Sequence, residues 1–266
     1  MAKLHDCYSM TLPLLEHITY GPVASRRLGR SLGVNLLPPG MKVCNMNCAY
    51  CQYGWTRLAA RYRGQGTGWP TPEAVEAAVE ARLTHAAVTG ETIDRLTIAG
   101  HGEPTLHPDF EDIVERLAAV RDRVAPSVRT AILSNSTTAG VQTVRNALAR
   151  IDERYMKLDA GDSFTFAAIN GTATAFTVLV ERLRALPPIV IQAMFVTEPS
   201  GRIDNSSDRS VDAWIDAVES LRATGVHVYT LDRAPAHSAL QPVPARRLRE
   251  IAERVKRIGI PADVFC

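Results

Sequence analysis

The chain has 266 residues, 46% of them apolar and 22% charged, and 30 Lys and Arg against 28 Asp and Glu leave a net charge of +2. That composition suits a globular chain with room for one large domain or two small ones, and the charge is too mild to imply nucleic-acid binding by itself. No apolar run approaches the ~18 residues of a membrane span, and the opening Met1-Ala2-Lys3-Leu4-His5-Asp6-Cys7 lacks the apolar stretch of a signal peptide, so a cytoplasmic protein with no membrane partner is expected.

Leu32 to Leu37 reads as a first strand, and the glycine- and arginine-rich stretch from Gln52 to Trp69 as a long loop. Thr71 offers an N-cap with Pro72 at the first helical position, opening a helix over Glu73 to Thr84. Arg95 to Ala99 then reads as a buried strand, Phe110 to Val120 as a helix, Val128 to Leu133 as a strand and Ala139 to Ile151 as a helix. A short strand over Tyr155 to Asp159 precedes a helix over Phe176 to Leu186, and Ile189 to Val196 is the clearest β run. The next helix starts near Ser210, repeats its apolar face at Val211, Trp214, Ile215, Val218 and Leu221, and stops at Gly225. Val226 to Leu231 is the last predicted strand, and the last helix carries Leu248, Ile251, Ala252, Val255 and Ile258. Six βα units imply a parallel sheet with right-handed crossovers, in either an open doubly wound form or an incomplete barrel.

Five cysteines are an odd number, and three of them crowd into Cys44-Asn45-Met46-Asn47-Cys48-Ala49-Tyr50-Cys51. In a reducing compartment that points to a metal or redox site rather than a disulfide framework. A 4Fe–4S cluster ordinarily takes four cysteines. Only three are gathered here, with Cys7 and Cys266 at opposite chain ends, so one iron would keep an open coordination position, as catalytic metal sites do. The competing reading is a structural zinc site completed by Cys7 or a histidine. Zinc modules favour two separated cysteine pairs, however, and no second pair exists.

The cysteine spacing, with Tyr50 just before the last cysteine, resembles the signature of the radical S-adenosylmethionine superfamily. The run Tyr20-Gly21-Pro22-Val23-Ala24-Ser25-Arg26-Arg27-Leu28-Gly29-Arg30-Ser31-Leu32-Gly33-Val34-Asn35 resembles the opening of its wyosine-synthase-like group of Fe–S oxidoreductases. The match leaves residues 1–19 as an N-terminal extension and 20–266 as one domain. The resemblance implies an α/β fold of the partial parallel (β/α)6 barrel type with its site at the C-terminal strand ends. It implies that Cys44, Cys48 and Cys51 hold three irons of a 4Fe–4S cluster while S-adenosylmethionine chelates the fourth. Reductive cleavage to methionine and a 5′-deoxyadenosyl radical, which takes hydrogen from a substrate, follows from the same resemblance, as does an electron donor such as flavodoxin or ferredoxin.

Other segments extend the resemblance. Gly100-His101-Gly102-Glu103-Pro104-Thr105 resembles the superfamily's Gly-Gly-Glu motif, with His101 where glycine is usual. Glycines let a ligand approach the backbone, and Glu103 would take the cofactor's amino group. The competing account is a turn with Glu103 in water. Ser134 and Asn135 would contact the ribose, while Ser136 or Thr137 suits a helix cap. Lys157 and Asp159 alternate along one strand and so share a face, either for the cofactor's carboxylate or ribose or as a structural ion pair. Tyr50 and Gln192 join the expected cofactor contacts, and Met194 and Arg233 are weaker candidates. His101 and His107 read as a local hydrogen-bonding pair rather than a second metal site, and one cluster is expected.

The motifs do not name the substrate, and a small metabolite or peptide is favoured. The alternative is a tRNA-modifying enzyme whose Arg26, Arg27, Arg30, Arg57, Arg61 and Arg63 contact phosphates. Nucleic acid is not favoured as a partner, because no RNA-binding module is recognisable and the basic last helix is interleaved with Glu250 and Glu253. A third reading, in a different class, is a non-enzymatic zinc-stabilised binding protein.

Overall fold

The computed structural model describes residues 11–57, 59–221 and 223–266. A first hairpin, β1 (Thr19–Ser25) and β2 (Gly29–Val34), leads into a long irregular stretch that carries the cysteines. Then follow α1 (Pro72–Thr89), β3 (Arg95–Ile98), a 3-10 turn at Pro104–Leu106, α2 (Phe110–Val124), β4 (Arg129–Ser134), α3 (Gln142–Ala149) and β5 (Glu153–Lys157). Two helices, α4 (Ser163–Asn170) and α5 (Phe176–Arg184), precede β6 (Val190–Met194) and the short β7 (Val196–Thr197). The chain ends with α6 (Asp208–Glu219), β8 (Gly225–Tyr229), β9 (Gln241–Pro242), α7 (Ala245–Arg257) and β10 (Ala262–Phe265).

Eight strands form one curled sheet in the order β1-β2-β3-β4-β5-β6-β8-β10, a half-barrel. β1 is antiparallel to β2 and the other neighbours are parallel. All six predicted strands are present, and the expected partial parallel barrel is the fold. Strand alternation divides the sheet into two faces. Leu32, Leu96, Ile98, Ile132, Met156, Ile191, Val226 and Val228 pack into the main core under the helices. Their neighbours in sequence, including Tyr155, Lys157, Gln192, His227 and Tyr229, therefore face the concave side.

The helices form where the sequence supplies caps and an apolar stripe. Thr71 accepts from Ala74 N at 3.2 Å, and Gly90 closes α1 in the left-handed region at φ 70°. Val75, Val79, Leu83 and Ala86 make its buried face. The α6 stripe runs through Val211, Trp214, Ile215 and Val218, and Trp214 Nε1 donates to Leu158 O at 2.9 Å. Two boundaries move: β2 ends at Val34, and β5 ends at Lys157, leaving Asp159 in the loop beyond it. Neither Ser136 nor Thr137 caps α3. That helix starts after Val141 with no side-chain cap.

Candidate functional site

The cysteine loop lies across the C-terminal ends of the strands. Its backbone is tied on several sides: Glu103 N donates to Val43 O at 3.0 Å, Ala60 N to Cys44 O at 2.9 Å, Ala49 N to Ile169 O at 2.8 Å and His237 N to Ala49 O at 2.8 Å. Cys44, Cys48 and Cys51 are half-buried and unpaired. Each sulfur has its own N–H donor: Asn135 Nδ2 is 3.7 Å from Cys44 Sγ, Asn170 Nδ2 is 3.5 Å from Cys48 Sγ, and Lys42 Nζ is 3.1 Å from Cys51 Sγ. Burial, and then the neighbouring Cys48, pushes the Cys44 thiol up to about 12; burial and then Asp159 push Cys48 up to about 11.

This donor set suits an iron–sulfur cluster. Three soft ligands stand on one loop, and N–H groups beside the sulfurs offset the charge that thiolates acquire on iron. Among the described residues no three His, Cys, Asp or Glu side chains converge on a single metal ion. A cluster does not require that, because each thiolate takes a different iron. Cys266 is exposed, and Cys7 lies outside the described residues.

Glu103 is 1% exposed, so it is not a solvated turn residue. Its Oε1 accepts from Thr105 N at 3.1 Å, Thr105 Oγ1 at 2.5 Å and Ser134 Oγ at 2.9 Å, and its Oε2 accepts from Asn135 N at 2.6 Å. Burial still pushes the carboxyl up despite these bonds. Ser134 and Asn135 thus meet Glu103 directly. Asn135 also reaches the cysteine loop, donating to Asn45 Oδ1 at 2.8 Å while Thr137 Oγ1 donates to Asn135 Oδ1 at 2.6 Å.

The two glycines of the segment are explained by the chain itself. A Cβ at Gly100 would collide with the Asn35 side chain, and one at Gly102 with the Val43 carbonyl. Close approach at both positions is therefore by the protein's own backbone and side chains. His101 and His107 do not bond each other. His101 accepts from Leu15 N at 3.0 Å on Nδ1, and its Nε2 lies 3.1 Å from Pro38 O. His107 accepts from Asp109 N and reaches Pro70 O at 2.9 Å. Both are struts.

Lys157 and Asp159 form an ion pair, Nζ to Oδ1 at 2.9 Å, with the aspartate side chain fully buried. Asp159 also accepts from Met194 N at 2.8 Å, Tyr50 Oη at 2.5 Å and Asn170 Nδ2 at 2.9 Å. Lys157 Nζ donates to Tyr229 Oη at 2.8 Å and lies 4.5 Å from the Tyr50 ring centroid. Burial opposes its charge, but Asp159 and Tyr229 outweigh that and hold the ammonium above the usual lysine range. Tyr50 is thereby joined to the pair and, through Asn170, to Cys48. Gln192 is 2% exposed beside Lys157 in register, with Nε2 unpartnered. Arg233 donates to Gln52 Oε1 at 3.5 Å.

Sequence reasoning missed Lys42, Asn170 and Tyr229. Lys42 stands two residues before the first cysteine. Asn170 ends α4, where Asp162 before the helix and Gly171 after it were legible cap signals. Of the arginines considered for phosphate, Arg63 is committed to Thr105 O, His107 O and Pro108 O at 2.9–3.1 Å.

Residues 39–238, more than half of the chain, match the Radical SAM superfamily. The UPF0026 protein of Methanocaldococcus jannaschii is 37% identical over 153 residues, 58% of this chain and 44% of that protein, so the chain spans less than half the length of this relative. A radical SAM methyltransferase from Sphaerobacter thermophilus superposes with a TM-score of 0.64 at 16% identity, covering 88% of this chain and 65% of its own. Streptococcus suis SuiB bound to precursor peptide SuiA gives 0.61 at 15% identity, covering 88% of this chain and 48% of its own. These two likenesses show the half-barrel fold. The three thiols, Glu103 and the Lys157–Asp159 pair all fall within the matched residues, and the chain belongs to the Radical SAM superfamily.

Proposed function

We propose that the chain is an enzyme that binds S-adenosylmethionine against a 4Fe–4S cluster and uses its reductive cleavage to take hydrogen from a substrate in the half-barrel. The observation that carries this reading is the set of three thiols, each with its own N–H donor, at the strand ends beside Glu103 and Lys157. Cys44, Cys48 and Cys51 would hold the cluster. When bound, the cluster and S-adenosylmethionine supply an electron and a 5′-deoxyadenosyl radical for hydrogen abstraction.

The protein's own residues bind and orient. Glu103 Oε2 accepts one hydrogen bond where Oε1 accepts three, so Oε2 keeps room for an ammonium proton, and an arriving cation favours the ionised carboxylate that burial disfavours. Ser134 and Asn135 hold that carboxylate, Gly102 lets the cysteine loop close over the strand end, and Gly100 leaves room for the Asn35 side chain. Lys157, fixed by Asp159, Tyr50 and Tyr229, offers a positive charge for the cofactor's carboxylate, and Gln192 leaves a donor unused beside it. The partners are a small-molecule or peptide substrate and an electron donor of the flavodoxin or ferredoxin type. The peptide in SuiB supports the peptide arm, and the internal commitment of Arg63 weakens the tRNA arm.

The test is direct. Anaerobically reconstituted, reduced protein should hold about four irons per chain and release 5′-deoxyadenosine from S-adenosylmethionine without added substrate. Cys44→Ala, Cys48→Ala and Cys51→Ala should lose iron and product, whereas Cys7→Ala and Cys266→Ala should keep both. Methylthioadenosine instead would mean that a different C–S bond breaks. Colourless protein with one zinc per chain would favour the binding-protein reading and sink this one.

A further inference from the structure

The concave face of the half-barrel holds three buried side-chain nitrogens without a hydrogen-bond partner among the described residues: Arg27 Nη1, Gln192 Nε2 and His227 Nδ1. The sheet register brings them together. Gln192 on β6 is paired with His227 on β8 and with Lys157 on β5. Arg27 enters from the β1–β2 turn and lies over the Tyr229 ring, 4.3 Å from its centroid. Tyr229 is two residues beyond His227 and shares its face. Burial, and then the Arg27 charge, pushes the His227 imidazolium down to about 4.

The charge here is unmatched. Glu153, a half-buried carboxylate whose charge reaches His227, is taken by Arg95 at 2.5 Å and Arg129 at 3.3 Å. Asp263, the β10 partner of His227, is exposed. Among the described residues Arg27 has an aromatic ring for company and no carboxylate. Arg27 is half-buried but its Nη1 is not accessible, and a buried donor left unpaired is costly, the more so on a charged group; that cost falls when an acceptor-only, negatively charged group arrives.

We propose that Arg27, Gln192 and His227 bind an oxyanionic group of the substrate, a carboxylate or a phosphate. The proposal rests on the enzyme reading above, which puts the substrate in this half-barrel. Oxyanion binding has two sources to separate, the substrate and the carboxylate of S-adenosylmethionine. Position favours the substrate. Lys157 lies over both the Tyr50 and the Tyr229 rings, at 4.5 and 5.0 Å, whereas the aromatic ring under Arg27 among the described residues is Tyr229, one step further from the cysteine loop. Guanidinium and amide donors together match the in-plane lone pairs of an oxyanion, which a lone lysine does not.

Calorimetric titration of the anaerobically reconstituted protein with inorganic phosphate, and separately with succinate, tests this. Saturable binding of at least one, at roughly millimolar affinity, should persist in saturating S-adenosylmethionine. Arg27→Ala and Gln192→Leu should each weaken it about tenfold. Absence of saturable binding overturns the proposal. So does wild-type affinity in both variants, checked as folded by circular dichroism; if Arg27→Ala does not fold, Gln192→Leu decides. Displacement of the anion by S-adenosylmethionine, one for one, would assign the nitrogens to the cofactor's carboxylate and also overturn it. Release of 5′-deoxyadenosine does not enter these titrations, so failure of the enzyme reading and failure of this one are distinguishable.

Discussion

Glu103 accepts four hydrogen bonds, burial still raises its proton affinity, and no cationic side chain among the described residues pairs with it. Glu103→Gln should therefore weaken S-adenosylmethionine binding by about ten- to a hundredfold, from loss of a charged hydrogen bond, while the iron content stays. Unchanged affinity would leave Glu103 as a brace between strand ends. Glu153 shows the opposite balance. Burial would raise its carboxyl, but hydrogen bonds from Arg95 and Tyr155 and the charges of Arg95 and Arg129 hold it below the usual glutamate range. Its stabilising effect is present above the unfolded value of 4.5 and disappears as pH falls through the lower folded value. The melting temperature of the wild type should drop more steeply below about pH 4.5 than that of Glu153→Gln; parallel curves would remove Glu153 from the acid response. Residues with a spacing signature, such as the cysteines or Lys157 and Asp159, were legible in the sequence. Lys42 and Asn170 were not, because each gains its meaning from a cysteine 9 or 122 positions away.

At the scale of elements, Gly102 links the end of β3 to the cysteine loop. A Cβ there would strike the Val43 carbonyl, backbone that cannot swing aside as a side-chain tip would. Gly102→Ala should therefore push the loop off the strand ends and lower iron incorporation several-fold, with far-UV circular dichroism unchanged. Normal iron content would show that the loop tolerates displacement. The helices α2, α6 and α7 were legible because each repeats apolar residues at three and four positions over at least three turns, and α1 because Thr71 and Pro72 mark its start. The eight residues of α4, Ser-Phe-Thr-Phe-Ala-Ala-Ile-Asn, separate apolar from polar too weakly for that, with Phe164 at 80% exposure and Phe166 at 3%. β1 was hidden by Gly21-Pro22 and an irregular register between Tyr20 and Val23. β10 was hidden because four residues after Pro261 carry no readable period.

Across the whole molecule, β1 and β10 are the two edges of the half-barrel, and the turn between β1 and β2 reaches from one toward the other. Arg26 pairs with Asp232 at 2.7 Å and donates to the carbonyl of Cys266. Residues of the segment before β1, read from sequence as an extension, also touch the site: Leu12 N donates to Gln52 O at 2.7 Å and Leu15 N to His101. The question is which contact holds the last edge in place. The Arg26 and Asp232 side chains are 51% and 64% exposed, and an ion pair that open to water contributes about 0–1 kcal/mol. β10 makes a four-residue parallel ladder with β8, buries Ala262 and sets the Phe265 ring 4.9 Å from His227. Ladder hydrogen bonds at about 1 kcal/mol each, with an aromatic contact at about 1 kcal/mol, exceed the ion pair several-fold. Removing residues 262–266 should therefore lower stability by about 3 kcal/mol or more in urea unfolding, while Arg26→Ala should cost less than about 1 kcal/mol. The deletion should also disturb the concave face, because His227 would lose one of the two rings that enclose it. Equal losses in the two variants would mean that the ion pair, and not the strand, closes the edge.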